Sequence, residues 1–457
     1  MKIVLKGFLH ILKDQFSDLD NLRWKLTVRS VFNREYYVRP YKEGRKSIGI
    51  PMFFRPSLLE KATEIVDLRT VGQPVAIQLQ TTLWEYQQDF FNKICESMEK
   101  QNSTNFIIEA RTGWGKTVLA SALISYLDTT TLIVVPVSTL VFQWKEELLL
   151  HTSLTEDDIG IAMDAKVDWR GKKVVIGLVH TLVLDRWGED FKEHFGFVLL
   201  DEVDKSAPPE TFSPICTMFP AKYRIAMSAT PDRKDGLSKV VKWHFGQVFM
   251  NGNMYADIKV KKAKVLSVYY SNGSPPDKLQ YIRDSLSRRG VVLSALAESD
   301  DRNKVLCQYI KTFYNTKRAT LILSDRIQQL LYLARIMETS YKVPVREMGF
   351  FVRSLPKTAL YRKTPQERLP EKLLIFATYK MLDIGFDMKP LAGLILATPR
   401  SSITQTVGRV ERFLEGKQQP IVLDLKDEAY PDAVKWSLAR EKEYRTLGIP
   451  VTVRRHT

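Results

Sequence analysis

The sequence predicts an α/β protein: two parallel-sheet domains in tandem, preceded by a small basic α+β segment. Three observations predict it. Short, continuous apolar runs alternate with helical stretches, the pattern of strands buried on both faces and wound with helices. These runs fall into two sets, separated by a polar stretch that ends in the turn-rich SNGSPP. With 457 residues, the chain exceeds what one ordinary core fills, so two or three domains are expected.

Residues 1–78 read as a separate small domain with a nucleic-acid-binding character. Lys25, Arg29, Arg34, Arg39, Lys42, Arg45 and Lys46 are interleaved with Trp24, Phe32, Tyr36 and Tyr37. WKLTVRSVF and YYVRP read as short strands, and SLLEKATEIVDL as a helix capped by Ser57. The opening MKIVLKGFLHILKDQF is broken by Lys6 and Lys13 and lacks a small-residue cleavage site, which argues against a signal peptide. Residues 79–252 carry the first set of buried strands: NFIIEA, TLIVVP, KVVIGL, FGFVLLD and RIAMSAT. Residues 253–457 carry the second: ATLILS, KLLIFAT, LAGLILA and PIVLDL.

No window reaches the roughly 18 apolar residues that a membrane span needs, so no membrane association is expected. Cys95, Cys216 and Cys307 match no metal spacing and read as thiols of a reduced, cytoplasmic protein, the host cytoplasm if the chain is viral. A net charge of +16 attracts polyanions, nucleic acid being the commonest. Charge has low specificity, so the motifs carry the chemistry.

Ala110-Arg111-Thr112-Gly113-Trp114-Gly115-Lys116-Thr117 follows one predicted strand and opens a predicted helix, the setting of a phosphate-binding loop. Glycines let backbone N–H groups cradle phosphate oxygens at a helix N-terminus. Lys116 reaches the β- and γ-phosphates of such a nucleotide, and the Thr117 hydroxyl ligates Mg²⁺. Asp201-Glu202-Val203-Asp204 directly follows the run FVLL, where open parallel sheets bind ligands. There Asp201 faces the nucleotide's Mg²⁺, and Glu202 orients and deprotonates the attacking water. Arg409 and Arg412, within Gln405–Arg412, are one helical turn apart and can both project toward a triphosphate. An arginine finger is worth roughly 10³–10⁵ in turnover.

In this order, the residues resemble a superfamily 2 helicase over about residues 79–425. Leu83-Trp84-Glu85-Tyr86-Gln87 resembles the Q motif, with Gln87 as adenine reader. Residues 110–117 resemble motif I, Val135-Pro136 through Gln143-Trp144 motif Ia, and Asp201–Asp204 motif II. Ser228-Ala229-Thr230 resembles motif III, in which Ser228 and Thr230 couple hydrolysis to movement. Leu321–Ser324 sits where motif IV belongs. Ala377-Thr378 through Gly385-Phe386-Asp387 resembles motif V, placing Gly385 and Asp387 near the nucleotide, and Gln405–Arg412 resembles motif VI. DEVDKSAP, SATPDRKDG and LILATPRSSITQTVGR look most like phage branch-migration helicases of the UvsW type and bacterial relatives of the XPB type. The sequence departs from the pattern at Trp84, Trp114, Asp204 and Ile384.

The resemblance implies two RecA-like domains, ATP with Mg²⁺, and a monomeric motor acting on forked, branched or junction DNA. It puts Gln405 in the catalytic set and Thr139, His180, Thr181 and Thr378 near the phosphodiester track. KVKKAK (259–264), Arg288-Arg289, and Arg353, Lys357, Arg362 and Lys363 offer further grip or a solvated surface. Phe350-Phe351 stacks bases or packs a core. An RNA helicase and a duplex translocase without strand separation are the competing enzymes. An idle nucleic-acid-binding module is the competing class, but Lys116, Asp201, Glu202, Arg409 and Arg412 are all present.

Overall fold

A computed structural model of the chain describes residues 1–456 except 32–34, 56, 102, 111–112, 204–208, 230–234, 252–260, 272–274, 283, 383–387, 389 and 413. It divides into two compact units, Met1–Asp257 and Ile258–Thr457.

The first unit opens with a five-stranded sheet. Strands β1 (Lys2–Leu5), β2 (Leu9–Leu12), β3 (Lys42–Glu43), β4 (Ser47–Ile50) and β5 (Glu64–Asp67) lie in the order β3-β4-β2-β1-β5. The alternation Ile3, Leu5 and Leu9, Ile11 buries one face of the β1–β2 hairpin. The predicted helix SLLEKATEIVDL is corrected here. Only Ser57–Glu60 is helical, while Glu64–Asp67 pairs parallel to β1 in the register Ile3↔Ile65 and Val4↔Val66. β-Branched Ile65 and Val66 favour a strand, and β1 offers them an open edge. WKLTVRSVF is also only partly a strand. Trp24 and Lys25 end a helix begun at Leu19 and capped by Asp18, and only Val28–Arg29 pairs, with Tyr37–Val38.

Each of the nine apolar runs forms a strand. In the first unit, β6 (Asn105–Glu109), β7 (Thr131–Val135), β8 (Ile159–Met163), β9 (Lys166–Val167), β10 (Val174–Leu178), β11 (Phe197–Leu200), β12 (Tyr223–Ser228) and β13 (Val248–Asn251) make a sheet of order β9-β8-β10-β7-β11-β12-β6-β13. All neighbours are parallel except β8 and β9. Helices α1 (Glu85–Gln101), α2 (Lys116–Leu127) and α3 (Ser138–His151) belong to this unit. Buried Arg224 on β12 donates to the carbonyls of Gly7 (3.1 Å) and Cys216 (2.7 Å), tying the small sheet to the large one.

The second unit holds β14 (Lys264–Tyr270), β15 (Thr320–Ser324), β16 (Met348–Phe351), β17 (Leu374–Thr378), β18 (Gly393–Leu396), β19 (Ile421–Asp427) and β20 (Val451–Arg455). They form an all-parallel sheet of order β16-β17-β15-β18-β19-β14-β20. The two large sheets, wound with helices, are tandem RecA-like domains. Phe350 and Phe351 lie on β16 and are buried; Phe350 stacks on Tyr361 (4.8 Å) and Phe376 (5.2 Å). Core packing, not base stacking, explains the pair. Among the described residues, no helix is long and apolar enough to cross a membrane.

Two buried ion pairs brace this unit: Arg302 to Asp427 at 2.6 Å and Arg440 to Asp424 at 2.8 Å. Arg440 lies on α5 (Pro431–Thr446) and also donates to the carbonyl of Arg400 at 2.6 Å. Removing one partner strands a buried charge, which costs about 3–5 kcal/mol. Arg440→Ala is therefore expected to lower stability by about that amount in a urea unfolding curve.

Candidate functional site

In the first unit, β11, β12 and β6 are adjacent, so the segments leaving their carboxyl ends converge. Ala110 N–H donates to Ser228 O (3.0 Å) and Val203 N–H to Met227 O, fastening the loop after β6 and the acidic segment after β11 to the strand between them. Ser228 is fully buried, and its carbonyl provides this tie.

The loop has the backbone its glycines predict. Gly113 (φ 84°) and Gly115 (φ 91°) are left-handed, and Gly115 caps α2. A Cβ on Gly115 would stand 2.1 Å from Gln87 Nε2 and displace that amide, while the left-handed backbone is what favours glycine. Buried Gln87 accepts from Trp84 N–H (3.0 Å) and donates to the carbonyl of Trp114 (3.2 Å). Its amide thus braces the loop, a task the adenine-reader assignment did not anticipate. The Trp114 indole is 1% exposed, with Tyr86 and Phe90 each 5.2 Å away. As a side chain it packs the core and does not stack on a nucleotide; Trp114 enters the loop through its backbone. Tyr86 Oη donates to the Trp114 carbonyl at 3.0 Å, a second brace.

Lys116 and Thr117 open α2, and Lys116 Nζ donates to Ala110 O at 2.9 Å. Asp201 is buried. One oxygen accepts from Glu202 N–H (2.9 Å), the other from the Trp144 indole N–H (2.9 Å). Burial pushes the Asp201 carboxyl up to about 6; the charge of Glu202 adds to this and that of Lys116 opposes it. Glu202 stands at φ 50°, a strained left-handed position that turns the chain sharply between the two carboxylates. A desolvated, oriented carboxylate and a helix-opening threonine hydroxyl are oxygen donors of the kind a divalent cation takes. Asp201 and Thr117 would hold Mg²⁺, which when bound neutralises phosphate charge. Among the described residues, no group of three or more acidic, histidine or cysteine side chains forms a self-sufficient metal site.

The other expected residues are placed unevenly. Thr139 lies in the first turn of α3, half-buried, and His180 is exposed in the short helix after β10. Thr181 is buried, and its hydroxyl accepts from Asp164 N–H (2.9 Å), a structural task. In the second unit, Thr378 ends β17 half-buried. Arg409 lies on α4 (Thr404–Val410) and donates to the carbonyl of Leu382; Arg412 follows just beyond. Arg111, Thr112, Asp204, Thr230, Ile384, Gly385, Asp387 and the Gln405 side chain lie outside the described residues. Sequence reasoning missed two supports. One is Trp144, noted only as part of a motif. The other is Glu443 of α5, whose carboxylate accepts from the N–H groups of Ile403 (2.8 Å) and Thr404 (3.2 Å), pinning the start of α4.

The raised Asp201 pKa carries a stability sign. The folded protein holds this proton more tightly than the unfolded chain, so stability falls as pH rises from about 4 to about 6. The penalty at neutral pH is at most roughly 3 kcal/mol. In thermal melts without nucleotide, Asp201→Asn is expected to unfold at a higher temperature than wild type at pH 8. The difference is expected to close near pH 4.

Residues 80–233 match the family model described as the res subunit of type III restriction enzymes. A protein of Acanthamoeba polyphaga mimivirus, described as "Putative ATP-dependent RNA helicase L396", is 25% identical over 391 residues, covering 85% of this chain and 72% of its own. Over 169 residues (37% of this chain and 25% of the relative), the identity is 34% to "Putative DNA 3'-5' helicase Rad25" of Haloarcula marismortui. Among solved structures, yeast Dbp5 bound to RNA and ADP BeF3 aligns at TM-score 0.51 and 12% identity, over 82% of this chain and 94% of that one. That likeness concerns the fold. With its loop, carboxylates and arginines, the chain, like these relatives, resembles superfamily 2 helicases, ATP-hydrolysing enzymes that work on nucleic acid.

Proposed function

We propose that the protein is an ATP-dependent DNA helicase or translocase that remodels forked and junction DNA, of the UvsW branch-migration type. The observation that carries the ATPase half is the placing of Lys116 and Thr117 after β6 and of Asp201 and Glu202 after β11, the two strands that flank β12. Lys116 and the loop N–H groups bind the β- and γ-phosphates. Glu202 accepts a proton as the water oxygen bonds to the γ-phosphorus and ADP departs. Arg409 and Arg412 neutralise the charge that develops, Gln405 supports them, and Ser228 with Thr230 relays the change to the nucleic-acid grip.

Residues 1–78, 79–252 and 253–457 serve as a basic accessory domain, the nucleotide-binding motor domain and its arginine-bearing partner. Thr139, His180 and Thr378 contact sugar-phosphate backbone, with Thr181 contributing only through its backbone. A DNA substrate draws support from the segment 34% identical to a protein described as a DNA helicase, while the charge of +16 suits either nucleic acid. The RNA reading is favoured by the description of the mimivirus relative, whose similarity spans most of the chain. A monomer working in the cytoplasm completes the reading.

Lys116→Ala is expected to reduce kcat for ATP by roughly 10²–10³, and Arg409→Ala by roughly 10³–10⁵, with circular dichroism unchanged. Persisting nucleic-acid-stimulated hydrolysis in Lys116→Ala sinks the site assignment. Hydrolysis by wild type is expected to respond more strongly to forked DNA than to RNA of matched length. The reverse order favours the RNA helicase.

A further inference from the structure

We infer that Trp144 is a positioning residue for the Asp201 carboxylate, setting the direction in which that carboxylate meets a divalent cation held with the nucleotide. The inference rests on the nucleotide-site reading and adds a residue to it. Trp144 lies on α3, 57 residues from Asp201 in sequence, and is 2% exposed. Its indole N–H is a donor only and cannot stay unpaired in the core without cost. The structure directs it, at 2.9 Å, to the Asp201 oxygen that the backbone N–H of Glu202 does not engage. Two donors on two different oxygens define the plane of the carboxylate as well as its position. A packing role alone requires the indole's bulk but not its N–H. The presence of a donor at this spot is what separates the two readings.

Such supporting bonds to a metal-facing ligand are worth about 10–100-fold in metal affinity. Trp144→Phe keeps an aromatic ring in the core and deletes the N–H. The probe is the fluorescent nucleotide mant-ADP, titrated into the whole chain in EDTA and across a range of Mg²⁺. The variant is expected to need about 10–100-fold more Mg²⁺ for half-maximal strengthening of mant-ADP binding, with affinity in EDTA unchanged. Asp201→Asn is expected to abolish the Mg²⁺ effect, and Trp144→Phe on top of it to add nothing. An equal loss with and without Mg²⁺, or an additive loss in the double variant, overturns the inference and leaves Trp144 as packing.

Should Trp144→Phe fail to fold, wild type labelled with ¹⁵N-tryptophan supplies the second measurement. One of its eight indole N–H resonances is expected to shift in Asp201→Asn and again when Mg²⁺ is added to the ADP-bound protein. No indole responding to both overturns the inference. Wild type that binds no mant-ADP in either condition contradicts instead the nucleotide site itself.

Discussion

A carboxylate removed from water is useful only when its surroundings impose both its charge and its direction. Asp201 is such a group. Its burial raises the cost of ionisation, and the nearby charge of Glu202 raises it further, while Lys116 offsets part of that cost. The parallel sheet supplies the frame. With β12 between β6 and β11, the phosphate loop and the acidic segment leave the two strands that flank it and are both pinned to it. The left-handed backbone at Glu202 marks the point where the chain turns away from β11.

The phosphate loop follows the same principle through neutral bonds. Its glycines admit left-handed backbone, and at Gly115 the absence of a side chain leaves room for the Gln87 amide. Gln87, Tyr86 and the Trp114 indole together anchor the loop to α1. A tryptophan in a loop that usually carries a small residue is accommodated because the ring turns inward, against Tyr86 and Phe90.

Much of this was legible in the sequence. The nine buried strands announced themselves because both of their faces are covered, which makes continuous apolar runs such as TLIVVP and LAGLILA. Lys116, Thr117, Asp201 and Glu202 were legible because strand-loop-helix order and strand-end position are local properties. The segment 57–68 was misread because Leu58 and Leu59 continue smoothly into Ile65 and Val66, and only pairing with β1 divides helix from strand. Strands β14 and β20 carry weaker signals: β14 mixes serine and tyrosine with its valines, and every residue of β20 is exposed. Trp144 and Glu443 escaped for a different reason. Each acts across a long stretch of chain, 57 residues to Asp201 and 40 to Ile403, and no periodicity encodes such a partner.

The Glu443 contact bears on what holds the arginine-bearing helix in place. Helix α5 lies downstream of every recognised motif. Yet Glu443 holds the first residues of α4, Arg440 holds the carbonyl of Arg400, and Asp424 of β19 ties Arg440 in place. The arginine-bearing helix thus leans on a buttress built from the last part of the chain. A shortened version lacking that buttress would keep every signature residue and still lose the footing on which its arginines stand.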